Sequence, residues 1–506
     1  MSNLPALHVG GRRENAVWQD LGALVAGLGS YPQSASSPYA DVPAPSWPRE
    51  PVLAEEQRDD AGQVLVRLFS GHAAVPTPRA ERALSSVDVD ALVRSGFVSR
   101  DRQHVIARFQ IQRWGDLLVA CDWPEHHEEG EYVHGVTNAG RTLAFLTPRW
   151  TIDRALDLGA GCGLQAVLAA RHAREVVASD VNVRAVALAT VTAGLNNAAN
   201  VDLRVGSWFE PVIDETFDLI VANPPYVISP EHRLVYRDAG DGDELCGWLL
   251  SGLPARLNND GFAVMLVNWA RRAGETWSDT PGRWLKGLDA FSVAIKFAEL
   301  STRDYACRFN APLADEPERF VAAVDAWLDY YARLGIDALE LGAVAMTARP
   351  AGRPARGDDS GPRWWAIAAA HEASGPGGAQ LTRLVQGTVR AATMTIADAR
   401  RAVARLAPGH ELWQRLRFVD GAHVADNIHM VFPNGLGVEA EIEPEALAFV
   451  LAIDGVRDVQ TLVGELHDAE ALSPDVSVDE ASRLVLELAR AGCIELHVAG
   501  SDGNPT

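Results

Sequence analysis

The chain has 506 residues, too many for one ordinary core, and its length implies about three domains. Apolar residues make up 47% and charged residues 22%, a globular composition that excludes a disordered chain. Lys and Arg total 45 against 67 Asp and Glu, and the resulting net charge of −22 counts against nucleic-acid binding, which rests on neutralising phosphates.

Cys121, Cys162, Cys246, Cys307 and Cys493 are scattered, odd in number and form no C-x-x-C pair. That argues against a disulfide framework or a structural zinc site, and no metal is expected. The first residues show no basic region followed by an apolar core, and no stretch approaches the ~20 apolar residues of a membrane span. A cytoplasmic protein is the expectation.

Val17, Trp18, Leu21, Leu24, Val25 and Leu28 fall at helical spacing over residues 14–28. Residues 32–51, rich in Ser and Pro, read as a linker or an extended arm. Short helices follow to Val98, and residues 97–123 read as strands. From about 150 the pattern alternates: strands at Ala155–Leu158, Glu175–Ser179, Val201–Val205, Leu219–Ala222 and Phe262–Val267, with helices between them. Such alternation predicts a doubly wound, mostly parallel α/β sheet. Phe291–Phe297 and Ala338–Thr347 would complete seven strands, and Gly352–Pro362 reads as a loop. A Gly-rich run at 375–378 marks a second boundary, and a helix is predicted over Ile396–Leu406. The helix–Gly–strand endings at 91–98 and 491–496 resemble the last helix and wing strand of a winged-helix unit. The predicted domains are therefore 1–130, 131–372 and 380–500, the outer two α+β and winged-helix-like.

Between the first strand and its helix runs Asp157-Leu-Gly159-Ala-Gly161-Cys-Gly163. Glycines let a turn adopt torsions closed to other residues and let the backbone approach a ligand. Their spacing is not the G-x-G-x-x-G of a dinucleotide fold. Asp180 ends the next strand, where a carboxylate can accept from both hydroxyls of a ribose. Ser207 and Trp208 follow the third strand. The fourth ends in Asn223-Pro224-Pro225-Tyr226, at the edge where open α/β sheets bind ligands. Two prolines remove two donors and stiffen the chain. The Pro224 carbonyl is expected to point outward without a partner and, with the Asn223 side-chain oxygen, to receive both hydrogens of a planar –NH2 group. Tyr226 offers that group a flat face.

This series resembles class I S-adenosylmethionine-dependent methyltransferases, and Asn223–Tyr226 is similar to the N-P-P-Y signature of N-methyltransferases. Asp180-Val-Asn182 and Leu195-Asn196-Asn197-Ala198 look like the glutamine-N5 group acting on release factors. The overall layout also resembles large multidomain methyltransferases of actinobacteria. The resemblance implies S-adenosylmethionine as cofactor, bound by Asp157, Gly159, Gly161, Gly163, Asp180, Ser207, Trp208 and Asn223, with Ser207 and Trp208 beside the adenine. It implies methyl transfer at Asn223, Pro224, Pro225 and Tyr226 to nitrogen on a planar group of a protein, peptide or small molecule. An amino-adenine methyltransferase of nucleic acids and a non-catalytic cofactor-binding module are the alternatives.

Other features have blander readings. His126-His127-Glu128-Glu129, between Pro124 and Gly130, reads as a solvated loop and not as metal ligands. His134-Gly135 reads as a capped turn or a substrate border. Asn268-Trp269 either lines the pocket or packs under the next helix. Asp243 starts a helix after the acidic stretch 238–244. A homodimer built partly through residues 14–98 is expected.

Overall fold

The computed structural model describes residues 12–26, 61–231, 243–348, 363–369, 375–419 and 421–498. Leu28, the 32–51 linker, the acidic stretch up to 242 and the Gly352–Pro362 loop lie outside the described residues.

The N-terminal part holds α1 (Arg12–Ala26), α2 (Ala61–Phe69), β1 (Val75–Pro76), α3 (Thr77–Ala83), α4 (Val89–Arg94), β2 (Val98–Arg100) and β3 (His104–Ala107). From α2 to β3 this is the winged-helix order, and the strands pair β1-β3-β2. A hairpin follows, β4 (Gln110–Trp114) and β5 (Leu117–Cys121), then α5 (Asn138–Leu146).

The central sheet is built from β6 (Ile152–Leu158), α6 (Leu164–Ala169), β7 (Ala173–Asp180), α7 (Val183–Leu195), β8 (Val201–Val205), β9 (Phe217–Ala222), α8 (Glu244–Gly252), β10 (Leu257–Arg272), α9 (Asp279–Leu285), β11 (Ala290–Ser301), α10 (Thr302–Phe309), α11 (Pro317–Leu334), β12 (Ile336–Ala348) and β13 (Trp364–Ala368). The strand order is β13-β11-β12-β10-β9-β6-β7-β8. Only β12 runs antiparallel to its neighbours. Each predicted strand sits inside an observed one, and β13 adds an eighth, parallel to β11. Alternate residues of β6 and β9 face opposite layers. Ala155, Leu219 and Val221 meet α5 and α6 on one side. Leu156, Leu158 and Ile220 meet α8 and α9 on the other. Because β6 lies between β9 and β7, the connections reverse direction there, and a crevice opens at the carboxyl ends of β6 and β9.

The remainder comprises α12 (Gly378–Thr393), α13 (Ile396–Arg400), β14 (Ala402–Leu406), β15 (Glu411–Val419), β16 (Ala422–Val431), β17 (Glu439–Ile442), α14 (Leu447–Ala452), α15 (Val459–Asp468), α16 (Val478–Arg490) and β18 (Ile494–Val498). β14 and β18 pair antiparallel, so α12, α13, β14, α15, α16 and β18 form a second winged-helix-like order with a three-stranded sheet inserted. The predicted helix over Ile396–Leu406 is corrected: it ends near Arg401, and Ala402–Leu406 is a strand. Pairing with β18 overrides the helix preference of its alanines.

Both flanks share core clusters with the central domain. Val17, Trp18, Leu21 and Val25 of α1 are buried in one cluster with Leu188 and Val191 of α7, so this apolar face is covered within the chain. Gly194 lets α7 approach Trp18; a Cβ there would lie 2.4 Å from the Trp18 Cβ. The outer edge of β5 is completed by side chains of α7: Thr192 Oγ1 accepts from Ala120 N at 3.0 Å, and Asn196 bonds both the N–H and the carbonyl of Leu118. Leu381, Leu384 and Val385 of α12 join the layer that α5 and α6 form on the sheet.

Candidate active site

Gly159, Gly161 and Gly163 turn the chain from β6 into α6 with φ of +76°, +53° and +79°. A side chain at any of them would be strained. Nothing lies within 4 Å of where a Cβ of Gly159 or Gly161 would point, so these two leave an open cradle. Gly163 is different. A Cβ there would meet the Ala189 Cβ at 2.9 Å, so its role is close packing of α6 on α7.

Two carboxylates hold this loop. Asp157, 2% exposed, accepts from Ala166 N at 2.9 Å, at the start of α6. Burial pushes its carboxyl up to about 7, against that hydrogen bond. Asp180 accepts from Gly161 N at 2.9 Å and Asn182 N at 2.8 Å, and burial raises its carboxyl as well. Asn182 caps α7 and donates to the Glu131 carbonyl. After β8 the turn is tied back by Gly206 N to the Asp180 carbonyl at 3.0 Å. Trp208 sits at φ +48° with its ring edge-on to Trp248, centroids 6.5 Å apart.

These groups line one cavity of about 1130 Å³. Asp157, Gly159, Gly161, Asp180, Trp208 and all of Asn223–Tyr226 border it, whereas Gly163 and Ser207 do not. The Asn223 Oδ1 is buried and has no hydrogen-bond partner. The Pro224 carbonyl departs from expectation: it accepts from Tyr226 N at 2.8 Å, because the stiff Pro-Pro run folds the chain back on itself. A carbonyl carries two lone pairs, so one stays available.

His134, Gly135 and Asn268 also border the cavity, while Trp269 is buried on the opposite face near Trp284, so Asn268 and Trp269 take one predicted role each. His127 and Glu128 stand at its margin, where Glu128 pairs with Arg319 at 2.6 Å. Among the described residues no His, Cys, Asp and Glu cluster is placed to hold a metal. Asp243 precedes α8 as predicted, with its carboxylate accepting from Ala270 N at 3.0 Å.

Several lining residues escaped sequence reasoning. Thr137 caps α5 and Asn138 and Ala139 open it, a signal present in the cap itself. Trp248 of α8 faces Trp208. Arg308, Phe309, Asn310 and Leu313 come from the helical insertion between β11 and β12, which carries no local motif.

Comparison with known proteins gives this geometry a family. Residues 130–236 match the methyltransferase small domain, and residues 48–108 match a domain of unknown function (DUF7059). The chain is 35% identical over 242 residues to the release factor glutamine methyltransferase of Cereibacter sphaeroides, covering 44% of this chain and 83% of that protein. The chain belongs to the release factor glutamine methyltransferase family. It is 33% identical over 133 residues to the corresponding protein of Xylella fastidiosa (strain Temecula1) and 29% identical over 154 residues to the ribosomal protein uL3 glutamine methyltransferase of Bradyrhizobium diazoefficiens. These two matches cover 24% and 28% of the chain, and it spans about half the length of each relative, 48% in both cases. It is a class I methyltransferase with S-adenosylmethionine as cofactor. The site fits that cofactor: an open glycine cradle, the half-buried Asp180 carboxylate beside it and a partnerless amide oxygen border the same cavity.

Proposed function

We propose that this methyltransferase acts on the side-chain amide nitrogen of a glutamine in a protein substrate, a release factor being the first candidate. The observation that carries the reading is the buried, partnerless Oδ1 of Asn223 at the cavity wall. Leaving such an acceptor unpaired costs about 1–3 kcal/mol, which a donor on the substrate would relieve. A carboxamide has two N–H donors: one fits Asn223 Oδ1, the other the free lone pair of the Pro224 carbonyl. Held by both, its nitrogen is oriented while the Tyr226 ring supports its planar face. S-adenosylmethionine, when bound, supplies an electrophilic methyl group. Asp180 fits the ribose hydroxyls and Trp208 with Trp248 the adenine. Positioning and exclusion of water supply the rate, so the amide needs no strong base.

The net charge of −22 supports a protein acceptor over a nucleic acid. The test is Asn223→Ala. Calorimetry should show cofactor affinity unchanged, and turnover on release factor should fall about 10²–10³-fold, the usual worth of one preorganised contact at a reacting centre. Loss of cofactor affinity together with turnover would make Asn223 a structural residue and sink the reading.

A further inference from the structure

We infer that Tyr305 and Tyr331 are positioning residues that fix the Asn223–Tyr226 motif from behind. The inference rests on the reading of that motif as the acceptor site. Tyr305, on α10, accepts from the backbone N–H of Ile228 through its hydroxyl at 3.2 Å. Tyr331, on α11, donates its hydroxyl to the Ile228 carbonyl at 2.8 Å. Both backbone polar groups of one residue are thus held by two phenols from a distant insertion. The Tyr305 hydroxyl also accepts from Asn268 Nδ2 at 2.8 Å, which ties it to β10. Ile228 and Tyr305 are fully buried, with Tyr331 at 1% and Asn268 at 3% exposure, so water does not substitute readily.

The geometry closes a circle. The motif leaves β9, whose last residue Ala222 pairs with Met265 of β10. Five residues beyond Asn223 the chain is gripped again at Ile228, through Asn268 of the same β10. Between these anchors lies the stiff Pro224-Pro225 pair, so the position of Ile228 sets how far the motif projects into the cavity. Phe309 and Leu313 of the same insertion wall that cavity, so the element that borders the acceptor also sets the groups that would hold it. Misplacing a reacting group by about 1 Å can cost about 10²-fold in rate.

Phenylalanine at either position keeps the ring, its packing on Trp327 and the fold, and removes only the hydroxyl. Hydrogen exchange of the full-length chain, read by mass spectrometry, is the direct measurement. In Tyr305→Phe and in Tyr331→Phe, exchange in residues 226–231 should rise about tenfold, with residues 157–163 unchanged as a control. On a release factor, kcat should fall about tenfold and the KM for cofactor should stay constant. Unchanged exchange in both variants overturns the inference whatever the activity. Raised exchange with unchanged kcat overturns the positioning role. If the wild type methylates no release factor while exchange rises as expected, the substrate reading falls and the grip on Ile228 stands.

Discussion

Asp157 shows how much of this site is set by burial. Its carboxylate sits under the glycine loop, 2% exposed, capping α6 through Ala166 N. Desolvation wins over the hydrogen bond, and the carboxyl rises from 3.8 to about 7. Such a group binds its proton more tightly folded than unfolded. Its stabilising contribution is complete below pH 3.8 and is lost as pH rises through about 7. Asp157→Asn keeps an acceptor for Ala166 N and removes the charge. Its stability relative to wild type should therefore grow between about pH 5 and about pH 8, by at most about 1.4 kcal/mol for each pH unit and levelling off above about 7. Chemical denaturation of both proteins at the two pH values checks this, and a constant gap would contradict it. The glycine loop, Asp180 and Asn-Pro-Pro-Tyr were legible because each is a local signal at a strand end. The distinct part of Gly163 was not, since it depends on Ala189 across the helix interface. The second partner of the Pro224 carbonyl was not legible either, being a detail of how the turn closes.

Helix α7 has a double duty that its composition hides. One side packs on the sheet, and the other receives the N-terminal unit. Arg184 donates through Nε to both oxygens of Asp122 at 2.9 Å, and both residues are buried, at 6% and 1%. Asp122 also accepts from Val133 N at 3.0 Å, and Val133 itself borders the cavity. Breaking a buried pair strands its partner's charge. Asp122→Ala should therefore cost about 3–5 kcal/mol in denaturant unfolding, and a loss under about 1 kcal/mol would refute the assignment. From sequence, Leu195-Asn196-Asn197-Ala198 pointed to a family; in the structure Asn196 completes the edge of β5. The strand Ala402–Leu406 was misread because its partner β18 lies about ninety residues away, beyond any local pattern.

Across the whole molecule, the sheet is flanked by two units of winged-helix-like order; the N-terminal core merges with α6 and α7, and α12 of the C-terminal unit merges with the layer on the sheet while the rest keeps its own core. Periodicity made the sheet legible, and the short helix–Gly–strand endings hinted at the flanks. The merging was not legible, since it is decided by contacts such as Trp18 on Gly194 that join segments far apart in the chain. Among the described residues no helix is long and apolar enough to cross a membrane. The proposed protein acceptor draws its support from the net charge of −22 and from the family. The most direct measurement is to incubate the full-length chain with S-adenosylmethionine and a release factor from the same source, then locate the methyl group by fragment mass spectrometry. The account predicts one methyl group on a glutamine side-chain nitrogen, formed about 10²–10³-fold more slowly with Asn223→Ala. A methyl group on any other atom, or an unmodified release factor alongside efficient methylation of an adenine-containing nucleic acid, would contradict it.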